Sequence, residues 1–213
     1  MERNLQPPIG DMKHETELEQ VRSQAEKGYP VEQNLLGLMY LTGDGVERDP
    51  VEAARWFRRA AGQGFAEAQF DLAGLYRHGV GVALDYGEAL KFYRLAAKQH
   101  HSDAQFALGQ MHEFGQGVPI NFAEAAQCYR LAAEQSHAQA QYFLGALYVD
   151  GNGVPRDLVE AFFWFTLSAG QDEPNGIECR DTLASQLTPG QIASVTRRAE
   201  EFLARLPDRA QEF

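Results

Sequence analysis

Four pairs of side chains three residues apart stand where a general acid and a general base could share a helix face: Asp49 and Glu52, Asp85 and Glu88, Asn121 and Glu124, Asp157 and Glu160. Each pair recurs 36 residues after the one before, and four identical active sites in one chain are implausible. The same spacing writes an Asx form of the capping box, in which the short side chain accepts from a free first-turn amide and the Glu reaches back. Capping is therefore the reading taken, at on the order of 1 kcal/mol per helix. Paired glycines at 43 and 45, 79 and 81, 115 and 117, 151 and 153 invite comparison with a phosphate cradle. That motif needs a preceding strand and a third glycine or a lysine, and neither is present. His101 and His137 occupy equivalent positions with His100 beside the first, but no cysteine or acid completes a metal-ligand set, so exposed loop histidines are expected. Cys128 and Cys179 lack an evident activating base and read as structural thiols. The expectation is no catalytic residue, no metal and no cofactor.

The elements that carry these residues come from a repeated sentence. "TGDGVERDPVEAARWFRRAA" from Thr42 returns as "HGVGVALDYGEALKFYRLAA" from His78, "FGQGVPINFAEAAQCYRLAA" from Phe114 and "DGNGVPRDLVEAFFWFTLSA" from Asp150. Within a unit, Ala68, Leu72, Leu75 and Tyr76 recur at helical spacing and form one buried stripe. The glycine pair ends that first helix, and each following valine (Val46, Val82, Val118, Val154) folds the loop onto the core. A second helix starts at the Asx cap, with Ala53, Ala89, Ala125 and Ala161 permitting close helix approach and a bulky pair such as Trp56 and Phe57 filling the space between units. Residues 66–101 and 102–137 share 16 of 36 identities, nearly all at contact, turn and cap positions. The identities thus describe a scaffold, and the differences describe what it presents.

With 213 residues, 19 Lys and Arg against 30 Asp and Glu, and a net charge of −11, the chain is poorly suited to a nucleic-acid backbone. No apolar run is long enough to span a bilayer, so membrane insertion is not expected. "MERNLQPPIGDMKHETELEQ" has no apolar central region, which predicts a cytoplasmic protein, or a periplasmic one if a signal peptide was removed.

The Ala-x-x-x-Leu-Gly-x-x-Tyr first helix, the Gly-x-Gly-Val turn, the Asp cap and the aromatic pair before Ala-Ala resemble the Sel1-like repeats, 36-residue relatives of the tetratricopeptide repeat, over residues 30 to 170. Gly109 and Gly145 match the family's first-helix glycine, Ala73 does not, and His112 replaces the tyrosine. The resemblance implies an all-α, right-handed α-solenoid of about eleven helices in antiparallel pairs. It divides the chain into a half-repeat cap at 14–29, repeats at 30–65, 66–101, 102–137 and 138–173, and capping helices at 174–206, with disordered tails at 1–13 and 207–213. Thr188, Pro189 and Gln191 write a capping box for the last helix.

Function, on the same resemblance, is a noncatalytic adaptor or scaffold, a monomer that binds a protein or peptide in a concave groove lined by first helices. A bacterial regulatory or toxin-neutralising protein is the alternative, and a hydrolase of this class the remote one. The disulfide-bearing secreted branch is not represented, so its penicillin-binding activity does not carry over. By analogy with the tetratricopeptide arrangement, the groove residues are Asn34, Leu38, Phe70, Arg77, His78, Phe106, Gln110, Glu113, Phe114 and Tyr142. Phe70, Phe106 and Tyr142 form the expected ladder of rings, either binding anchors or packing elements.

Overall fold

The computed structural model describes residues 9–206, with side chains from residue 17 onward. Eleven helices and no strand occupy the described residues: α1 (Ile9–Glu26), α2 (Pro30–Thr42), α3 (Pro50–Gly62), α4 (Ala66–His78), α5 (Tyr86–Ala97), α6 (Ser102–Phe114), α7 (Phe122–Glu134), α8 (Ala138–Asp150), α9 (Leu158–Ala169), α10 (Pro174–Ala184) and α11 (Pro189–Ala204). The all-α repeat of helix pairs is thus as read. Helix α1 begins at Ile9, so residues 9–13 of the expected amino-terminal tail are helical. The remainder of that tail, 1–8, and the tail at 207–213 lie outside the described residues.

The chain falls into two compact units, one ending at His101 and the other beginning at Ser102. In the first, α1 packs on α2, α2 on α3, α3 on α4 and α4 on α5. Its core combines fully buried alanines (Ala53, Ala60 and Ala68) with the ring of Phe57, which lies against the backbone of Gly37 in α2. In the second, α6 pairs with α7 and α8 with α9, while α10 and α11 close over α9. There Tyr129, Phe163, Trp164 and Phe165 fill a larger core that Val195 and Ala199 of α11 complete.

The caps form as read in one half and not in the other. Asp49, Asp85, Asn121 and Asp157 each accept from two first-turn amides. The glutamates do not reach back. Glu52 binds Arg55 at 2.8 Å, Glu88 binds Lys91 at 3.0 Å, and Glu160 holds Arg198 of α11. The reason is that each cap amide already donates to a carbonyl of the preceding helix: Asp49 to Tyr40, Asp85 to Tyr76, Asn121 to His112 and Asp157 to Tyr148, at 2.8 to 3.0 Å. A satisfied donor leaves the glutamate nothing to reach for. At α11, Thr188 and Gln191 do form the reciprocal box.

Both glycines of each turn are left-handed, and Gly81 and Gly153 are also points of close approach. A Cβ on Gly81 would sit 2.1 Å from the Pro50 carbonyl oxygen, and one on Gly153 would sit 2.2 Å from the Phe122 carbonyl carbon. These two turns are thereby pressed onto the starts of α3 and α7.

A ladder of glutamines runs along the loops. Gln33, Gln69 and Gln141 are buried and donate to Ala25, Ala61 and Ala133 carbonyls at 3.0 to 3.3 Å. Their own carbonyl oxygens accept from Gln63, Gln99 and Gln171 at 2.7 to 2.9 Å, and Gln105 accepts from Gln135 at 2.6 Å. A buried amide is costly unless both its ends are paired. Gln33, Gln69 and Gln141 are paired at both ends and fix the second-helix ends against the first helices.

Candidate functional site

A first helix buries the stripe that meets its partner and leaves the adjoining stripe less covered. In the first unit the less-covered stripe of α2 carries Val31, Leu35 and Leu38, which are 56%, 43% and 36% exposed. Asn34 lies between them but is buried and hydrogen-bonded to Asp71 of α4. Burial pushes the Asp71 carboxyl up to about 6, opposed by the Asn34 hydrogen bond and reinforced by Glu67. Beside it, Arg77 hydrogen-bonds the Tyr93 hydroxyl; burial raises that hydroxyl's pKa and Arg77 partly offsets the rise. Phe70 stacks on His101 with centroids 4.8 Å apart and tilts against Tyr93 at 5.7 Å. His78 is exposed at the helix end.

The second unit repeats the plan with different chemistry. Phe106 stacks on His137 at 4.7 Å and contacts Tyr129 and Phe143 at 5.6 and 5.5 Å. The Tyr129 hydroxyl donates to Glu113 at 2.5 Å, so Glu113 takes the role that Arg77 has in the first unit. Tyr142 meets Phe143 at 5.2 Å and Phe165 at 6.0 Å. Burial raises the Tyr142 hydroxyl, with Cys179, Glu173, Glu113 and Glu178 adding to the shift. Gln110 is half-buried beside these rings on α6, and Phe114 stands 56% exposed.

The structure thus brings Phe106 and Tyr142 together through Phe143 and places Phe70 with Tyr93 and His101 in the other unit. All three ladder rings are half-buried and engaged within the chain. The histidines depart from expectation. His101 and His137 are half-buried stacking partners instead of exposed loop residues, because the Phe ring 31 positions earlier offers each imidazole a flat apolar face. His137 also caps α8, its Nδ1 accepting from the Ala140 amide at 3.1 Å, while Nε2 lies 3.1 Å from Asp103. Burial lowers its pKa, and Asp103 pulls the other way.

Three features went unread in the sequence. The glutamine ladder was visible as Gln at 33, 69, 105 and 141 and again at 63, 99, 135 and 171. Asp71 has no recurring counterpart, and Phe143 is likewise peculiar to its unit, so periodicity flags neither. Among the described residues, no three His, Cys, Asp or Glu side chains gather to hold a metal ion, and no helix is long and apolar enough to cross a membrane.

The sequence profile of the Sel1 repeat matches residues 33–65, 66–101, 102–137 and 138–173. No curated protein sequence matches. Among solved structures, a Sel1 repeat protein from Oxalobacter formigenes is 30% identical, with 88% of this chain and 79% of that chain aligned at a TM-score of 0.76. A protective antigen of uropathogenic Escherichia coli strains that displays an SLR fold is 28% identical over 87% of this chain, at a TM-score of 0.57. This chain spans 48% of that antigen.

Proposed function

Because the chain belongs to the Sel1 repeat family, whose profile matches it in four consecutive copies, we propose that it is a noncatalytic interaction module holding a partner protein or peptide against its first-helix faces. One observation carries this reading. The residues that recur every 36 positions are consumed by caps, glycine turns, glutamine pairs and core contacts. The first-helix residues that do not recur include Arg77 and His78 in the first unit, and Glu113, Phe114, Val149 and Asp150 in the second. All of these are exposed or half-exposed. Constant positions build the scaffold and these variable ones reach its surface, which is how a repeat protein acquires specificity.

The test starts from an affinity capture with mass spectrometry that identifies the partner. Its binding is then measured to the parent and to a variant with His78→Ala and Phe114→Ala, two exposed residues whose loss leaves the core intact. Anchor behaviour predicts a loss of about 2 kcal/mol or more, roughly 30-fold. Unchanged affinity at unchanged melting temperature would refute the assignment of these faces.

A further inference from the structure

A pocket of about 360 Å³ opens in the second unit between α8, α9 and α10. Its origin lies in a difference between two neighbouring helices. Between α6 and α8 the space is filled by rings, Phe106 against Phe143 at 5.5 Å. Helix α10 begins 36 residues after α8, yet it places Glu178 and Cys179 where α8 carries Tyr142 and Phe143. A thiol cannot occupy the volume of a phenyl ring, so the corresponding space stays open. Val149, Phe165 and Leu183 give it apolar walls beside Cys179. Asp150 and Glu178 also line it, no lysine or arginine does, and neither carboxylate forms an ion pair among the described residues. The nearby Arg180 is already bound to Asp181 at 2.7 Å. The volume is at the lower end of the range of roughly 300 to 1,000 Å³ seen for ligand pockets.

We propose that this pocket receives one aromatic side chain of a basic peptide segment, the ring occupying the space a phenylalanine fills in the preceding repeat and an adjacent arginine or lysine pairing with Asp150 and Glu178. The inference rests on the reading of the chain as a protein- or peptide-binding module and adds the chemistry of what is bound. Glu173 and Glu113, which act on Tyr142 together with Glu178, extend the negative potential beyond the pocket mouth. A cation entering there meets attraction from several sides. Burying the ring gives affinity, and the charges give selection and register.

Random-peptide display on the full chain tests the proposal. Selected peptides should share an aromatic residue next to Lys or Arg. Made individually, they should slow alkylation of Cys179 by iodoacetamide in a Cys128→Ser background. Filling the pocket with Ala146→Trp should weaken them at least about tenfold, with the melting temperature unchanged. If that variant does not fold, charge reversal at the exposed Glu178 (Glu178→Lys) should weaken them to the same extent while peptides with Glu in place of Lys and Arg improve. Selected peptides that lack the aromatic-basic pattern, or that leave Cys179 unprotected, overturn the pocket while the binding-module reading survives. A chain that selects no peptide and captures no partner protein defeats both. Protection of Cys179 by self-association, seen as a concentration-dependent dimer in sedimentation, would assign the pocket to a second copy and also overturn the proposal.

Discussion

Replacing Ser136 with glycine should make the protein more stable. The end of each second helix passes through one left-handed residue, at Gly28, Gly64, His100, Ser136 and Asp172, with φ of 101°, 90°, 65°, 64° and 59°. Glycine adopts that conformation freely, whereas an L side chain loses about 1 to 2 kcal/mol there. Ser136 carries a second cost: it is 9% exposed, and its hydroxyl has no hydrogen-bond partner among the described residues. An orphaned buried hydroxyl costs about 1 to 3 kcal/mol. Against these gains stands the extra unfolded-state freedom of glycine, about 0.5 to 1 kcal/mol. The net is a stabilisation of about 1 to 4 kcal/mol. Urea unfolding followed by circular dichroism should show a higher midpoint at unchanged slope. His100→Gly is the internal comparison. His100 is exposed and carries only the backbone cost, so its gain should be smaller, and the difference isolates the hydroxyl. A midpoint for Ser136→Gly at or below that of the parent refutes the reasoning.

Asp71 predicts a pH dependence. With its carboxyl at about 6 in the folded protein against 3.8 unperturbed, the folded state keeps a proton that the unfolded chain releases. The contribution of Asp71 to stability is then greatest below about pH 4, declines as pH rises to about 6 and levels off, a loss of about 2 to 3 kcal/mol. Asp71→Asn should remove that slope and be more stable than the parent at pH 7; an unchanged slope in unfolding free energy against pH would contradict the burial effect. Gly153→Ala should destabilise by about 3 to 5 kcal/mol, combining left-handed strain with a clash against the α7 backbone that no rotamer change relieves. A thermal shift corresponding to less than about 1 kcal/mol would mean that the turn is not pressed onto α7 as described.

The helix pairs, their Asx caps and their glycine turns were legible because each is a local demand repeated at fixed spacing, so Asp49 and Asp157 announce the same event. What the glutamates do was not legible. Whether Glu52 reaches back depends on the Asp49 amide, and that amide is taken by Tyr40, a contact between helices. The stacked histidines escaped for the same reason: His101 and Phe70 are far apart in the chain, and nothing local marks them as partners. The ring positions of the candidate site were correctly placed on first helices. Their engagement with Tyr93, Tyr129 and Phe165 repeats at a separation of 23 residues but joins different helices, so no local signal marks it, and Phe143 has no aromatic counterpart in the other repeats for periodicity to reveal.

The glutamine ladder sets a rule for how such a gene can change length. The rungs at Gln33, Gln69 and Gln141 each hand a donor to the helix end behind and an acceptor to the glutamine ahead, so an added copy arrives with its own connectors and finds waiting ones on both sides. An insertion of any other size strands an amide in the interior. Growth and loss are therefore permitted in whole 36-residue steps, and evolution can lengthen or shorten the protein by recombination without redesigning a single joint.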